Sequence, residues 1–208
     1  MVKKEGMARR GEQLRRHILL AAKDVFLEVG FERASMDVIS ARAQTSKRTL
    51  YAHFENKENL YLAVVELSRG LFLARLKKPD DYAGSPEEVL VQFCGRFLEI
   101  LVYAPVVRMC RMGMAEAERF PEGSIQLFDA LFAETQDRLS SYLKSELRLS
   151  DECCRDAAQQ LLGRVIYPRF TRALFGLDKL TEKLDDTMNA DFDLAPVRQA
   201  VTQFLKTL

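Results

Sequence analysis

The spacing of apolar residues constrains this chain more than any other feature. They recur at intervals of three and four, and strict alternation of β-branched residues is absent, so the pattern predicts helix throughout. Leu14, Ile18, Ala21, Ala22, Val25, Phe26 and Val29 share one helical face, which stops at Gly30. Ser85-Pro86-Glu87-Glu88 is a capping box with proline in the first turn, and the helix it opens should bury Leu90, Phe93, Cys94, Phe97 and Leu101. The same spacing runs through Ile125, Phe128, Phe132, Thr135, Leu139, Tyr142 and Leu143. It returns in Ala157, Leu161 and Val165, and in Val197, Ala200, Val201, Phe204 and Leu208. The expected fold class is all-α.

Charge is distributed unevenly along the 208 residues. Residues 1–57 hold 12 Lys/Arg against 7 Asp/Glu, and residues 58–208 hold 19 against 23. A basic head on a slightly acidic body suits a polyanion-binding module attached to a separate partner domain. No apolar run approaches the ~18 residues of a membrane span, and Lys3 and Lys4 are not followed by a signal core, so a cytoplasmic chain with no membrane association is expected. The four cysteines (Cys94, Cys110, Cys153, Cys154) form no metal-ligand pattern and read as buried thiols. The two histidines, His17 and His53, are far apart, so no metal, no cofactor and no Cys-His chemistry is expected. A Gly-rich phosphate loop and a nucleophile elbow are also absent, which argues against an enzyme.

The head carries the most information. Ser35 opens a short element with Met36, Ile39 and Ala43 on its inner side, and Ser46 can cap a second one with Leu50 and Phe54 inside. Two short helices joined by a tight turn, with a longer helix before them, make a helix-turn-helix. The outward positions of the second helix are Lys47, Arg48, Thr49, Tyr51 and His53, side chains able to reach phosphates and base edges. Cations in a first helical turn oppose the macrodipole unless an anion lies beside them, as a DNA phosphate would. Asn56 can cap the next helix, whose first turn holds Lys57 under the same logic.

The order of these residues closely resembles the tetracycline-repressor (TetR/AcrR) family of bacterial regulators. The positions concerned are Ile18-Leu19-Leu20-Ala21-Ala22, Phe26, Gly30-Phe31, Ser35, Ile39, Ala43, Ser46, Thr49-Leu50-Tyr51, His53-Phe54, Lys57-Glu58 and Leu60. The resemblance implies that Ser35, Lys47, Arg48, Thr49, Tyr51, His53 and Lys57 face DNA, with Ser46 at the start of the reading helix. Tyr51 and Lys57 would hold phosphates and Arg48 would read a base. Lys3, Lys4, Arg9, Arg10, Arg15 and Arg16 would form an arm and helix start with further backbone or minor-groove contacts. One departure stands out: the family has glycine and an aliphatic residue in the turn where Gln44 and Thr45 stand here.

Residues 1–56 are therefore expected to form a three-helix DNA-binding domain, and residues 57–208 a larger helical domain for ligand binding and dimerisation. Six further helices are expected near 57–77, 86–103, 105–119, 124–148, 151–175 and 195–207, the fifth bent at Pro168. In the family the last two long helices pair across a two-fold axis, which implies a homodimer through Leu161, Val165, Val201, Phe204 and Leu205. The cadence from Arg108 to Pro121 looks like that of multidrug-type members. Its methionines suit an adaptable apolar pocket for a small hydrophobic effector. The candidate lining is Phe93, Phe97, Met109, Met112, Met114, Phe128, Phe132 and Tyr167. Arg108, Arg111 and Glu116 are possible polar partners. The stretch from Asp178 to Asp193 reads as a solvated loop, disordered in part. The function expected is a dimeric repressor released from a palindromic operator on double-stranded DNA by that effector. Regulators controlled by a protein partner or lacking a ligand, and an enzyme with its site in the body, are the alternatives.

Overall fold

Gly30 adopts φ 80, ψ 167, a conformation open to glycine, and there the first helix breaks as its spacing predicted. The computed structural model describes residues 2–147 and 150–207, with side chains described from residue 9 onward in the first stretch and as far as 146. The described residues are helical apart from short turns and one longer connection, and they divide into two compact units. One isolated bridge, Tyr103 to Thr181, is the sole β pairing among them.

The first unit comprises residues 1–69 and 112–126. Helix α1 (Val2–Arg33) leads into α2 (Met36–Arg42), α3 (Lys47–His53) and α4 (Lys57–Arg75), of which residues 57–69 belong here. The caps are those the sequence specified. Ser35 Oγ accepts from the Val38 N–H at 3.2 Å, Ser46 Oγ from Thr49 at 3.1 Å and Asn56 Oδ1 from Asn59 at 2.7 Å. Ile18, Ala22, Val25, Phe26, Ile39, Leu50 and Leu60 are buried at the centre. Phe31 meets Tyr61 and Phe120 edge to face, with Phe31 and Phe120 4.9 Å apart, and the Tyr61 and Phe120 rings are tilted to each other. Burial pushes the Tyr61 hydroxyl up to about 12, and the Glu116 carboxylate adds to the shift.

The turn between α2 and α3 keeps its glycine shape without glycine. Gln44 sits at φ 49, the one non-glycine residue with positive φ among the described residues. Its N–H donates to Ala41 O at 3.1 Å, and that of Thr45 to Ser40 O at 3.0 Å, the two bonds that close a helix through a left-handed residue. A left-handed side chain costs about 1–2 kcal/mol, and glycine forfeits about 0.5–1 kcal/mol in unfolded-chain entropy. Gln44→Gly should therefore raise stability by roughly 0.5 kcal/mol. A lower urea midpoint than the parent's would show that the Gln44 side chain contributes contacts that outweigh its strain.

The second unit comprises residues 70–111 and 127–208. Helix α5 (Pro86–Leu101) forms its centre, and its capping box is present: Ser85 Oγ accepts from Glu88 N–H while Glu88 accepts from Ser85 N–H at 2.8 Å. That bond holds the Glu88 carboxyl below its usual range. Every side chain from Val89 to Val102 except Gln92 is buried. Helix α6 (Ala104–Ala115) and α7 (Pro121–Phe128) contribute residues to both units. A π turn over Asp129–Ala133 continues into α8 (Glu134–Leu147), which packs along α9 (Asp151–Ile166). The bend expected at Pro168 is a full stop between α9 and α10 (Arg169–Leu174). The last helix, α11 (Ala195–Leu205), lies on α5 and α9.

Two expectations about this unit need correction. Cys94, Cys110 and Cys154 are buried, with the first two thiols pushed up to about 12 by burial, but Cys153 is exposed. The Asp178–Asp193 stretch is the non-helical, largely exposed connection expected, but its backbone is held in place. Arg96 Nη1 donates to Thr187 O at 3.2 Å and Nη2 to Asp185 O at 2.5 Å, while Glu99 Oε1 accepts from Asn189 N–H at 3.0 Å. The acidic composition of the stretch says nothing of backbone carbonyls, and these are what the buried pair holds.

Candidate nucleic-acid interface

Helix α3 sits on α1 and α2 through Leu50 and Phe54, both buried, and this turns its other side outward. Arg48 is exposed and makes no ion pair among the described residues. Tyr51 is 50% exposed despite its ring, and ring burial is what a tyrosine with a core role would show. Thr49 Oγ1 lies 2.8 Å from Ser46 Oγ, so the cap and the outward threonine share a hydrogen bond. His53 is half-buried, its ring 6.4 Å from that of Phe54. Ser35 and Ser46 are exposed, each holding the first turn of its helix.

Several cations stand differently from expectation. Lys47 Nζ is 2.7 Å from Asp37 Oδ2, so the anion that balances its place in a first turn comes from α2. Lys57 was expected to grip a phosphate, but its ammonium turns inward. Its Nζ donates to Phe31 O at 2.9 Å, Ala34 O at 3.1 Å and Glu32 O at 3.4 Å, and lies 4.3 Å from the centre of the Phe31 ring. An ammonium has three protons, and these carbonyls take all three. The cation closes the end of α1, where carbonyls are left over and negative. Arg15 stacks over Phe54 at 5.1 Å. Arg9 and Arg10 are exposed on α1, which is helical from Val2, so the expected arm is an extension of that helix. The side chains of Lys3 and Lys4 lie outside the described residues.

Three side chains that brace the head escaped the sequence reading. His17 Nε2 bonds the Ala43 carbonyl at 3.1 Å, tying α1 to the turn. Arg42 forks onto Glu28 at 2.8 and 2.7 Å and lowers that carboxyl. Arg119 bonds Glu32 and Glu58 and lies over the rings of Phe31 and Phe120. None of these contacts left a trace in the sequence, because they join residues 14, 26, 61 and 87 positions apart on different helices or turns.

The model for bacterial regulatory proteins of the tetR family matches residues 18–64, and that for the AefR-like transcriptional repressor C-terminal domain matches residues 88–207. The chain belongs to the tetR family. It is a DNA-binding transcriptional regulator, in a family of regulators and not of enzymes. Among tetR relatives, the transcriptional activator FasR of Mycolicibacterium smegmatis is 46% identical over 66 residues, 29% of this chain and 30% of that protein. The regulator UidR of Escherichia coli is 37% identical over 75 residues, 36% of this chain and 38% of that protein. The match thus spans about a third of these relatives' length. A tetR-family regulator of Mesorhizobium loti shares the fold over 95% of this chain and 98% of its own, with a TM-score of 0.79 at 23% identity. The flavonoid-responsive regulator FrrA does so over 94% and 95%, with a TM-score of 0.71 at 26% identity. No helix among the described residues is long and apolar enough to cross a membrane.

The tetR fold also places the candidate body residues. Phe93, Phe97, Met109 and Met112 are buried, Phe132 is half-buried, and Met114 (62%), Phe128 (59%) and Tyr167 (70%) are exposed. The expected lining is therefore not one set. Phe132 alone gathers rings around it: Phe128 at 5.3 Å, Phe170 at 6.1 Å and Phe97 at 6.4 Å. Met112 and Met114 belong to the first unit and the remaining candidates to the second. Arg108 pairs with Glu182 at 2.8 Å, Arg111 caps α10 through Ala173 O and Leu174 O, and Glu116 is buried. The expected dimer contacts need a similar correction. Leu161, Val165, Val201 and Phe204 are buried inside their own unit, and only Leu205 is half-exposed. Leu208 lies outside the described residues. A helix has two faces, and an apolar stripe marks the buried one without saying what buries it.

Proposed function

We propose that this regulator is a dimeric repressor that leaves a palindromic operator when a small hydrophobic ligand binds its body. In this reading residues 1–56 read DNA and residues 57–208 bind ligand and dimerise. The observation that carries the DNA part is the exposed side of α3, where Arg48 has no ion-pair partner among the described residues and Tyr51 stands clear of the core. Arg48 reads a base edge, Tyr51, Thr49 and Lys47 hold the backbone, and Ser35, Ser46, His53, Arg9 and Arg10 border the contact. Lys57 supports the head from inside.

The description of the matching C-terminal model as that of a repressor supports the sign of regulation, and the responsiveness of FrrA to flavonoids supports an aromatic effector. The ring cluster around Phe132 is the part of the body best suited to such a ligand. Dimerisation then uses the outward sides of α9 and α11, around Gln160, Gly163 and Arg164 on the first and Gln203 and Leu205 on the second. Helix α4, 19 residues from Lys57 to Arg75, spans about 28 Å and carries movement from ligand to head. A coupling of ~1–3 kcal/mol weakens operator binding 5- to 150-fold, and the operator weakens the ligand by the same factor.

Selection of bound sites from random duplex DNA tests this. A palindrome with half-sites one helical turn apart is expected, and a single asymmetric site speaks against the dimer. On that palindrome Arg48→Ala should cost ~1–3 kcal/mol and relax preference at one position per half-site. Equal weakening on all sequences would make Arg48 a phosphate contact instead. An effector found by thermal shift should bind less tightly in the presence of the operator; equal affinities would remove the ligand from regulation.

A further inference from the structure

Residues 178–194 cross the second unit without helix and without a fully buried side chain, yet they follow a fixed path. Two residues of α5 set that path. Arg96 and Glu99, each 2% exposed, pair at 2.7 Å; Arg96 Nε donates to Arg75 O at 3.3 Å, and the other bonds of the pair go to the backbone of Asp185, Thr187 and Asn189. The start of the strap has further tethers: Ala104 N–H donates to Thr181 O at 2.9 Å, and the exposed pairs Arg172–Asp178 and Arg108–Glu182 each lie at 2.8 Å. Beside the latch, Met188 and Leu194 rest on Gly95, where an added Cβ would lie 2.3 Å from Leu194 Cδ2 and 3.3 Å from Met188 Sδ. The segment is thus a strap held by polar bonds over a helix that is itself buried.

We propose that this strap opens as a unit of its own, with the Arg96–Glu99 pair as its latch, and uncovers the Gly95 side of α5 while the helices stay folded. Segments that bury little apolar surface open at a fraction of the global unfolding cost, and the strap buries none fully. Opening is helped by the latch geometry. Arg96 and Glu99 lie three residues apart on one helix, so they remain paired when the strap leaves and no lone charge is stranded. The exposed side of α5 then presents a guanidinium whose two Nη donors have lost the carbonyls of Asp185 and Thr187, while Nε keeps Arg75 O, beside a glycine backbone. This inference does not depend on the proposed ligand.

Native-state trypsin cleavage of the full chain at Lys179 and Lys183, both exposed on the strap, reads the opening. The expected rate changes little with urea below the unfolding transition, as local opening requires, and the nicked protein keeps its helical circular dichroism. The double variant Arg96→Met/Glu99→Leu replaces the buried pair with apolar side chains and removes the latch bonds. It should be cut at least 10-fold faster with an unchanged unfolding midpoint. Cleavage that follows global unfolding in urea overturns the proposal, whether or not the double variant folds. An unchanged rate in a folded double variant overturns the latch.

Discussion

Arg96→Leu alone should destabilise the protein by about 3–5 kcal/mol, the largest effect expected of any single substitution here. The change leaves the Glu99 carboxylate buried with one backbone N–H and no cation, and it strips donors from the carbonyls of Asp185 and Thr187. Breaking a buried pair costs far more than replacing both members with apolar groups, because the survivor stays charged in a poor solvent. Urea unfolding measures the deficit directly. A loss below about 1 kcal/mol would mean that water reaches Glu99 and that the pair is not a sealed one.

Lys57→Met should cost about 2 kcal/mol of stability and leave the salt dependence of DNA binding unchanged. The substitution keeps an apolar stem over Phe31 but removes three charge-assisted bonds to the end of α1. It removes no donor from the outward side of α3. A phosphate-binding lysine behaves in the opposite way: its loss spares stability and reduces the slope of log affinity against log salt by about one unit per subunit. Thermal unfolding and a salt titration on the same operator separate the two. A reduced slope with an unchanged midpoint returns Lys57 to the DNA surface.

The contrast between Lys57 and Arg48 marks what kind of information a sequence holds. Both are cations in the first turn of a short-capped helix, and the local pattern gives them the same reading. Helix ends, caps and inner faces depend on neighbours within four residues. The break at Gly30, the caps at Ser35, Ser46, Asn56 and Ser85, and the buried row from Ile39 to Phe54 were therefore legible in advance. The sequence marked Gln44 as a departure from the family's turn, and only the structure showed that the left-handed shape holds there. Family membership followed from the same local register, because more than a dozen of its positions lie in one run.

The direction of a long side chain is a different matter. Whether a lysine meets water, a carboxylate on another helix or a row of carbonyls depends on partners brought near by the fold. Lys57 met residues 23–26 positions away, and Arg96 met a strap about 90 positions away. The stripes on α9 and α11 were read as dimer contacts, and all of them but Leu205 are buried inside their own unit, for a related reason. An apolar face is buried either by its own chain or by a partner's, the two cost the same in exposed area, and the pattern carries no mark of which occurs. The sequence by itself determined that this chain is helical, where its helices begin and end, and that its head reads DNA. Only the tertiary structure decided which cations remain free to do so, which faces are already filled, and that the backbone of an acidic stretch is held by a buried ion pair. Those outcomes turn on desolvation and pairing between distant residues, and both are properties of the packed molecule.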